Sequence, residues 1–386
     1  MDTPLCGTQV TGKMVQDALT KRIPLAASNL CSVSAESIGG GKGYLSEVLR
    51  VELQWKETVD NVKFPTHIIV KTPCSEKLSQ FMKRDKTTRM VMELYHKTEC
   101  AVYELFNTDP PDIPLATCYS AIPKGAADKL PMIVLQDMHE YGKHQPIKKG
   151  LTVNKLYEVA DKLAALHAWS LTTNCGWREK VPSFETVCGI VQREMAHMIE
   201  ITAKKIKNET RRLDAIDFNK ISLLLADDEK IKKLALGFRS VIPDVTVHGD
   251  LCSNNLIFST DEKTGNASRN LIAMIDWQIC HQGPFAEDLC NLLSCSVAKW
   301  KRRKYTKPIF KRYFDTLNQL LPDDVSIGSF DEAYGQFRNY LAHHYVVISC
   351  LDAVTVWNMD VSSGVKDALF DRISASYVQG AAYLGL

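Results

Sequence analysis

The chain of 386 residues has no apolar run close to the ~18 residues that a membrane-spanning helix needs. It has no excess of either charge. Its 47 Lys and Arg stand against 45 Asp and Glu, a net +2, which gives no reason to expect nucleic acid or an acidic membrane as partner. Met1–Val10 has no basic stretch leading into an apolar core, so it does not read as a signal peptide, and a cytoplasmic protein is expected. There is no internal repeat and no low-complexity stretch. There is no paired C-x2-C spacing around Cys280, His281, Cys290 and Cys295, which argues against zinc and for buried small side chains. The twelve cysteines are expected to be free thiols. Nor does a Gly-Lys-Ser/Thr run open a helix, which excludes a Walker A phosphate loop.

What is there is an ordinary globular composition, 45% hydrophobic and 24% charged, in a chain longer than one core usually holds. Two lobes are expected, residues 1–137 and 138–386. The most informative stretch is His248-Gly249-Asp250-Leu251, with Asn255 five positions after Asp250. The apolar run Leu256–Phe258 follows, and a second run, Leu271–Ile275, ends in Asp276-Trp277. One loop thus offers a carboxylate and an amide, and a nearby strand end offers another carboxylate. Phosphoryl transfer needs such a set: an Asp to orient the acceptor hydroxyl, and an Asn and a second Asp to hold Mg²⁺ on the phosphates.

Upstream, Gly39, Gly40, Gly41, Lys42 and Gly43 form a Gly-rich turn before a strand in which Leu49, Val51, Leu53 and Trp55 alternate with polar residues. Such a turn lets backbone N–H groups approach phosphates. Phe64–Val70 reads as a strand with Lys71 at its end. Arg89–Phe106 reads as a helix whose apolar face, Met92, Tyr95, Val102, Tyr103 and Phe106, includes Glu99. A carboxylate on that face needs a cation, and Lys71 is the candidate. Met132–Leu135 reads as a strand running into a hinge, Gln136-Asp137-Met138. Beyond it the pattern is mainly helical. Leu156, Val159, Leu163 and Leu166 form a stripe, Val181–Pro243 is mostly helical, and Leu289–Val297, Ile309–Leu321 and Phe330–Cys350 are helices. Ser259–Asn270 is the tip of a hairpin joining Asn255 to Asp276.

On these residues, together with Leu163–Ala168, Ile275-Asp276-Trp277-Gln278 and Asp288-Leu289, the chain resembles the CHK kinase-like family. That group includes the ecdysteroid kinases and is related to choline kinases and aminoglycoside phosphotransferases. The resemblance runs from about residue 37 to 300. It implies an α+β, bilobal protein-kinase-like fold, with a small β-rich N-lobe and a larger, mainly helical C-lobe. It implies ATP and Mg²⁺ as cofactors and a small-molecule alcohol as acceptor, whether ecdysteroid- or sterol-like, choline-like or xenobiotic. Asp250 would be the catalytic base, and Asn255 and Asp276 the metal ligands. Nucleotide would meet Gly39, Gly41, Lys42, Gly43, Lys71 with Glu99, and the backbone at Gln136 and Met138. His248 and Asp288 would support the loop. Two departures stand out: family hinges often read Glu-Asp-Leu, and Lys42 adds a charge among the glycines. A protein kinase is disfavoured by His-Gly-Asp in place of His-Arg-Asp, by Trp277-Gln278 after the metal Asp, and by only twelve positions between Asp276 and Asp288. A pseudokinase serving as a nucleotide- or ligand-binding module is the alternative. Trp277, Trp300 and Trp357 are candidate aromatic faces for a quaternary ammonium, or core and rim residues.

Overall fold

The computed structural model describes residues 1–38, 46–56, 63–74, 86–126, 129–227, 229 and 242–385, with the backbone alone at 86–88 and 188–195. The Gly39–Gly43 turn lies outside the described residues. The chain separates into two compact units, Met1–Thr108 with Leu115–Glu140, and Asp109–Pro114 with Tyr141–Leu386.

The first unit is a five-stranded antiparallel sheet in the order β1-β2-β3-β5-β4. Its strands are β1 (Leu30–Ser37), β2 (Ser46–Trp55), β3 (His67–Pro73), β4 (Cys118–Ile122) and β5 (Met132–Gln136). The alternation in β2 turns Leu49, Val51 and Leu53 inward, where they meet Ile68, Val70, Val134 and the helix α1 (Gly12–Thr20) through Val15 and Leu19. That burial of apolar side chains is what holds the sheet to the helix. Lys71 is not at the end of its strand, as its sequence position implied. β3 runs on to Pro73, because Lys71 and Thr72 still pair with Val48 and Glu47 of β2. The α2 turn (Ala26–Asn29) precedes β1, and the long helix α3 (Lys86–Thr108) buries Met92, Tyr95, Val102, Tyr103 and Phe106.

The second unit is mainly helical. It holds a three-stranded antiparallel sheet, order β6-β8-β9, made of Gly142–His144, Leu256–Thr260 and Ala267–Met274. A smaller antiparallel pair joins β7 (Val245–Val247) to β10 (His281–Gly283). Helix α4 (Val153–Thr172) buries Leu156, Val159, Leu163 and Leu166 completely. The segment expected to be one helical stretch is divided. After the short α5 (Trp177–Lys180), Val181–Pro243 contains α6 (Phe184–Glu209) and α7 (Phe218–Leu225), with 228 and 230–241 outside the described residues. Asp217 caps α7 by accepting from the Lys220 N–H at 3.0 Å, which fixes the break. Four helices follow: α8 (Glu287–Ser296), α9 (Lys299–Leu320), α10 (Phe330–Asn358) and α11 (Ser363–Leu384). The last two pack closely at Gly380, where a Cβ would come within 2.6 Å of the Ala342 carbonyl oxygen. No helix among the described residues is long and apolar enough to cross a membrane.

Candidate active site

The hairpin of β8 and β9 builds the centre of the site. Leu256 pairs with Met274, so the residues flanking that pair, Asn255 and Ile275, lie side by side. The Ile275 N–H donates to the Asn255 carbonyl at 3.0 Å, which places Asp276 next to the loop that carries Asp250. Asn255 Nδ2 donates to the backbone carbonyl of Asp250 at 2.8 Å and to its carboxylate Oδ2 at 3.0 Å. Burial and the nearby Asp276 charge push the Asp250 carboxyl up to about 7, against the pull of the Asn255 hydrogen bond.

Asp276 has φ 69°, one of two non-glycine residues with positive φ among those described. Asp tolerates this conformation better than most side chains. It still costs on the order of 1–2 kcal/mol, which the paired strand end must hold in place.

The loop itself is fastened from below. Asp288, at the start of α8, accepts from the N–H groups of His248 and Gly249 at 2.7 and 2.9 Å. His248 uses both ring nitrogens. Nε2 donates to the Ile275 carbonyl at 2.9 Å and Nδ1 accepts the Asp250 N–H at 3.3 Å, which defines the tautomer. Gly249 has φ 83°, and a Cβ there would sit 2.4 Å from the Ile279 carbonyl oxygen. Asn291 Nδ2 donates to the Gly249 carbonyl at 2.8 Å. Ser253 N–H donates to Ser296 Oγ at 2.8 Å.

Trp277 is not an available ligand face. It is fully buried, donates Nε1–H to the Met274 carbonyl at 3.2 Å and packs on the His248 ring at 4.5 Å. Trp300 is 61% exposed. Cys280 and Cys290 are buried, and His281 is engaged by Glu287 and the Ile279 carbonyl. No cluster of three or more His, Cys, Asp or Glu among the described residues is arranged for a metal.

One residue escaped the sequence reading. Asp352, on α10, lies close enough to Asp250 for the two charges to interact, and burial together with that charge pushes it up to about 7. The signal was there: Asp352 interrupts the apolar run Val346–Val356, as Glu99 does in α3.

In the first unit, Lys71 Nζ meets both Glu99 oxygens at 2.7 and 2.8 Å, with Glu99 only 2% exposed. The pair meets the demand of a carboxylate on an apolar helix face. Gln136 ends β5, its backbone N–H and side-chain oxygen both bonded to Thr117, and Met138 is buried in the turn that follows. Between them Asp137 is buried, which alone would raise its carboxyl. Hydrogen bonds from His139 and Arg50 outweigh this and hold it at about 2.

A family model, DUF1679, described as "Uncharacterized oxidoreductase dhs-27", matches residues 3–360. The chain belongs to this family. A choline kinase from Cryptosporidium parvum Iowa II is 14% identical, with 97% of this chain and 95% of that one covered and a TM-score of 0.53. A protein of Ralstonia eutropha JMP134, described as an aminoglycoside phosphotransferase, is 12% identical, with 97% and 98% covered and a TM-score of 0.51. At such identities the likeness establishes the fold, which is protein-kinase-like, and it agrees with the resemblance carried by the motifs. A comparison with curated protein sequences finds no match.

Proposed function

We propose that the chain is an ATP- and Mg²⁺-dependent small-molecule kinase that phosphorylates an alcohol. The observation that carries the reading is the convergence of Asp250, Asn255 and Asp276. A hydrogen bond joins the first two, and the Asp276 charge acts on the Asp250 carboxyl. A carboxylate so placed beside the metal-holding pair can take or orient the proton of an acceptor hydroxyl.

The donor set also suits a hard cation, which prefers carboxylate and amide oxygens. Asn255 spends its Nδ2 on Asp250, so its amide oxygen is the atom with which it would hold Mg²⁺, beside the Asp276 carboxylate. Bound there, Mg²⁺ would neutralise phosphate charge and polarise the transferring group. His248 and Asp288 keep the Asp250 loop in place. Lys71, oriented by Glu99, would serve the nucleotide phosphates, as would the backbone of Gly39, Gly41 and Gly43 with Lys42. The adenine would meet the backbone at Gln136 and Met138. We assign nucleotide binding chiefly to residues 1–137 and acceptor chemistry to 138–386.

The family description contains the word oxidoreductase. A doubly wound dinucleotide fold would need a parallel sheet, whereas every pairing between the described strands is antiparallel. The acceptor class, among choline-like, sterol-like and xenobiotic alcohols, is open to a library screen for an ATP-dependent mass gain of one phosphate. Asp250→Asn should keep ATP affinity and lose turnover by ~10²–10⁴-fold. Asp276→Asn should lose the Mg²⁺-dependent part of ATP binding as well. Asp250→Asn turning over like the parent would sink the assignment of the base. ATP binding with no transfer to any acceptor would make the chain a nucleotide-binding module instead.

A further inference from the structure

The net charge of +2 conceals a local imbalance. Leu289 to Phe314 contains no Asp or Glu, and eight Lys or Arg fall between Lys299 and Arg312. The exposed residues of α9 in this stretch come in pairs four apart: Lys299–Trp300, Arg303–Lys304, Lys307–Pro308 and Lys311–Arg312. That spacing puts them on one helix face. Lys301 and Arg302 turn away from it. Lys301 donates to the Leu151 carbonyl at 2.9 Å and Arg302 is fully buried. At the C-terminal end of the stripe, Asp315 pairs with Lys311 and Asp161 with Arg312. Lys299, Arg303, Lys304 and Lys307 have no acidic partner among the described residues. A face that served solubility alone would interleave acids with these cations.

Aromatic side chains are set among them. Trp300 is 61% exposed, and an open hollow of about 530 Å³ is lined by Lys299, Trp300, Arg303 and Lys304. Lys307 lies over the rings of Phe330 and Tyr334 at 5.8 and 5.4 Å, and Lys311 over Phe330 at 5.5 Å. Arg338 continues the row, 6.0 Å from Tyr334 and 4.9 Å from Tyr383, itself 48% exposed. Long cationic side chains draped on aromatic rings keep their stems dry and their charges outward.

We propose that this face docks on an anionic lipid bilayer. A stripe of unpaired cations along the side of one helix matches a flat anionic surface, and an exposed Trp suits the headgroup layer. Single-stranded nucleic acid fits less well, because it wants open aromatic faces for stacking. Here Phe330 and Tyr334 are covered by Lys307, Lys311 and Arg338.

The test is sedimentation of the full chain with vesicles of phosphatidylcholine alone and with phosphatidylserine added. Binding is expected only to the anionic vesicles and should fall steeply as salt screens the charges. Reversing Lys299, Arg303, Lys304 and Lys307 to Glu should cut affinity by several hundredfold or more, at roughly fivefold per cation. Trp300→Ala should weaken it severalfold while leaving the salt dependence. The controls are Lys204→Glu, Lys205→Glu and Lys207→Glu together, on exposed positions of α6. This variant should bind vesicles as the parent does. All these positions are exposed, so the variants should melt with the parent, and a melt for each checks that binding is compared between folded proteins. The proposal is overturned if anionic vesicles fail to sediment the chain, or if the control variant loses binding as fully as the stripe variant. It is equally overturned if a single-stranded RNA oligonucleotide binds and phosphatidylserine vesicles cannot displace it.

Discussion

At the scale of single residues, the site depends on a few groups that have no freedom. Asp288 holds the buried N–H of His248 and the part-buried N–H of Gly249. Asp288→Ala should strand both and destabilise the protein by about 2–4 kcal/mol, as a buried unsatisfied donor costs about 1–3 kcal/mol and a part-buried one less. Urea unfolding would measure it, and a loss under about 0.5 kcal/mol, the scale of an ordinary surface change, would refute it. Gly249 allows no side chain, since an added Cβ meets the Ile279 carbonyl oxygen at 2.4 Å. A second prediction concerns pH. Burial alone would lower the His281 pKa, but the charge and hydrogen bond of Glu287 and the Ile279 carbonyl carry it to about 9. A raised folded pKa gives stability that is complete below the unfolded value near 6.5 and is lost as pH rises through about 9. The melting-temperature gap between the parent and Glu287→Gln should therefore be widest near pH 6 and narrow toward pH 10. A gap that does not change with pH would show that the pair is not ionised.

At the scale of elements, α8 is secured at both ends. Asp288 in its first turn engages the loop, and its C-terminal carbonyls are met by Arg302. That side chain is fully buried and donates to Ser294 and Val297 at 2.9 and 3.1 Å, and to Arg372 at 3.1 Å. A cation at a helix C-terminus also offsets the helix dipole. Arg302→Met should cost roughly 3 kcal/mol or more, because it orphans several carbonyls at once, and Lys should not restore the fork of donors. An unfolding midpoint equal to the parent's would contradict this. The same scale shows what the sequence made legible. Periodicity located α3, α4 and β2, since burying one face requires it, a short apolar run located β5, and α10 was read only as far as Cys350. Lys71 within β3, the start of β9 at Ala267 and the break before α7 were missed. Those boundaries are set by pairing partners and caps distant in sequence. The polar edge strand β1 and the last helix α11 carry weak patterns and went unread. The grouping of Asp250, Asn255 and Asp276 was legible because one hairpin supplies the last two. Asp352 was not, because it arrives from a helix about a hundred residues later.

At the scale of the molecule, each unit has a core of its own, around Leu49, Val51 and Val134 in the first and Ile199, Phe218 and Phe370 in the second. If nucleotide binds as proposed, MgATP at about a hundred times its dissociation constant should add about 2.7 kcal/mol. For a chain of 386 residues that is a rise of roughly 3 °C in melting temperature. Lys71→Met should abolish the shift, and no shift in the parent at saturating ligand would count against nucleotide binding altogether. The two-ended fastening of α8 has a consequence for how the second unit opens. The amides of His248 and Gly249 end on Asp288, in the first turn of α8, while the other end of that helix closes on Arg302 of α9. Loop, helix and clamp should therefore exchange their amide hydrogens as one cooperative unit. Loosening Arg302 would then speed deuterium uptake at His248 and Gly249 by the same factor as in α8, although neither residue touches the substituted side chain.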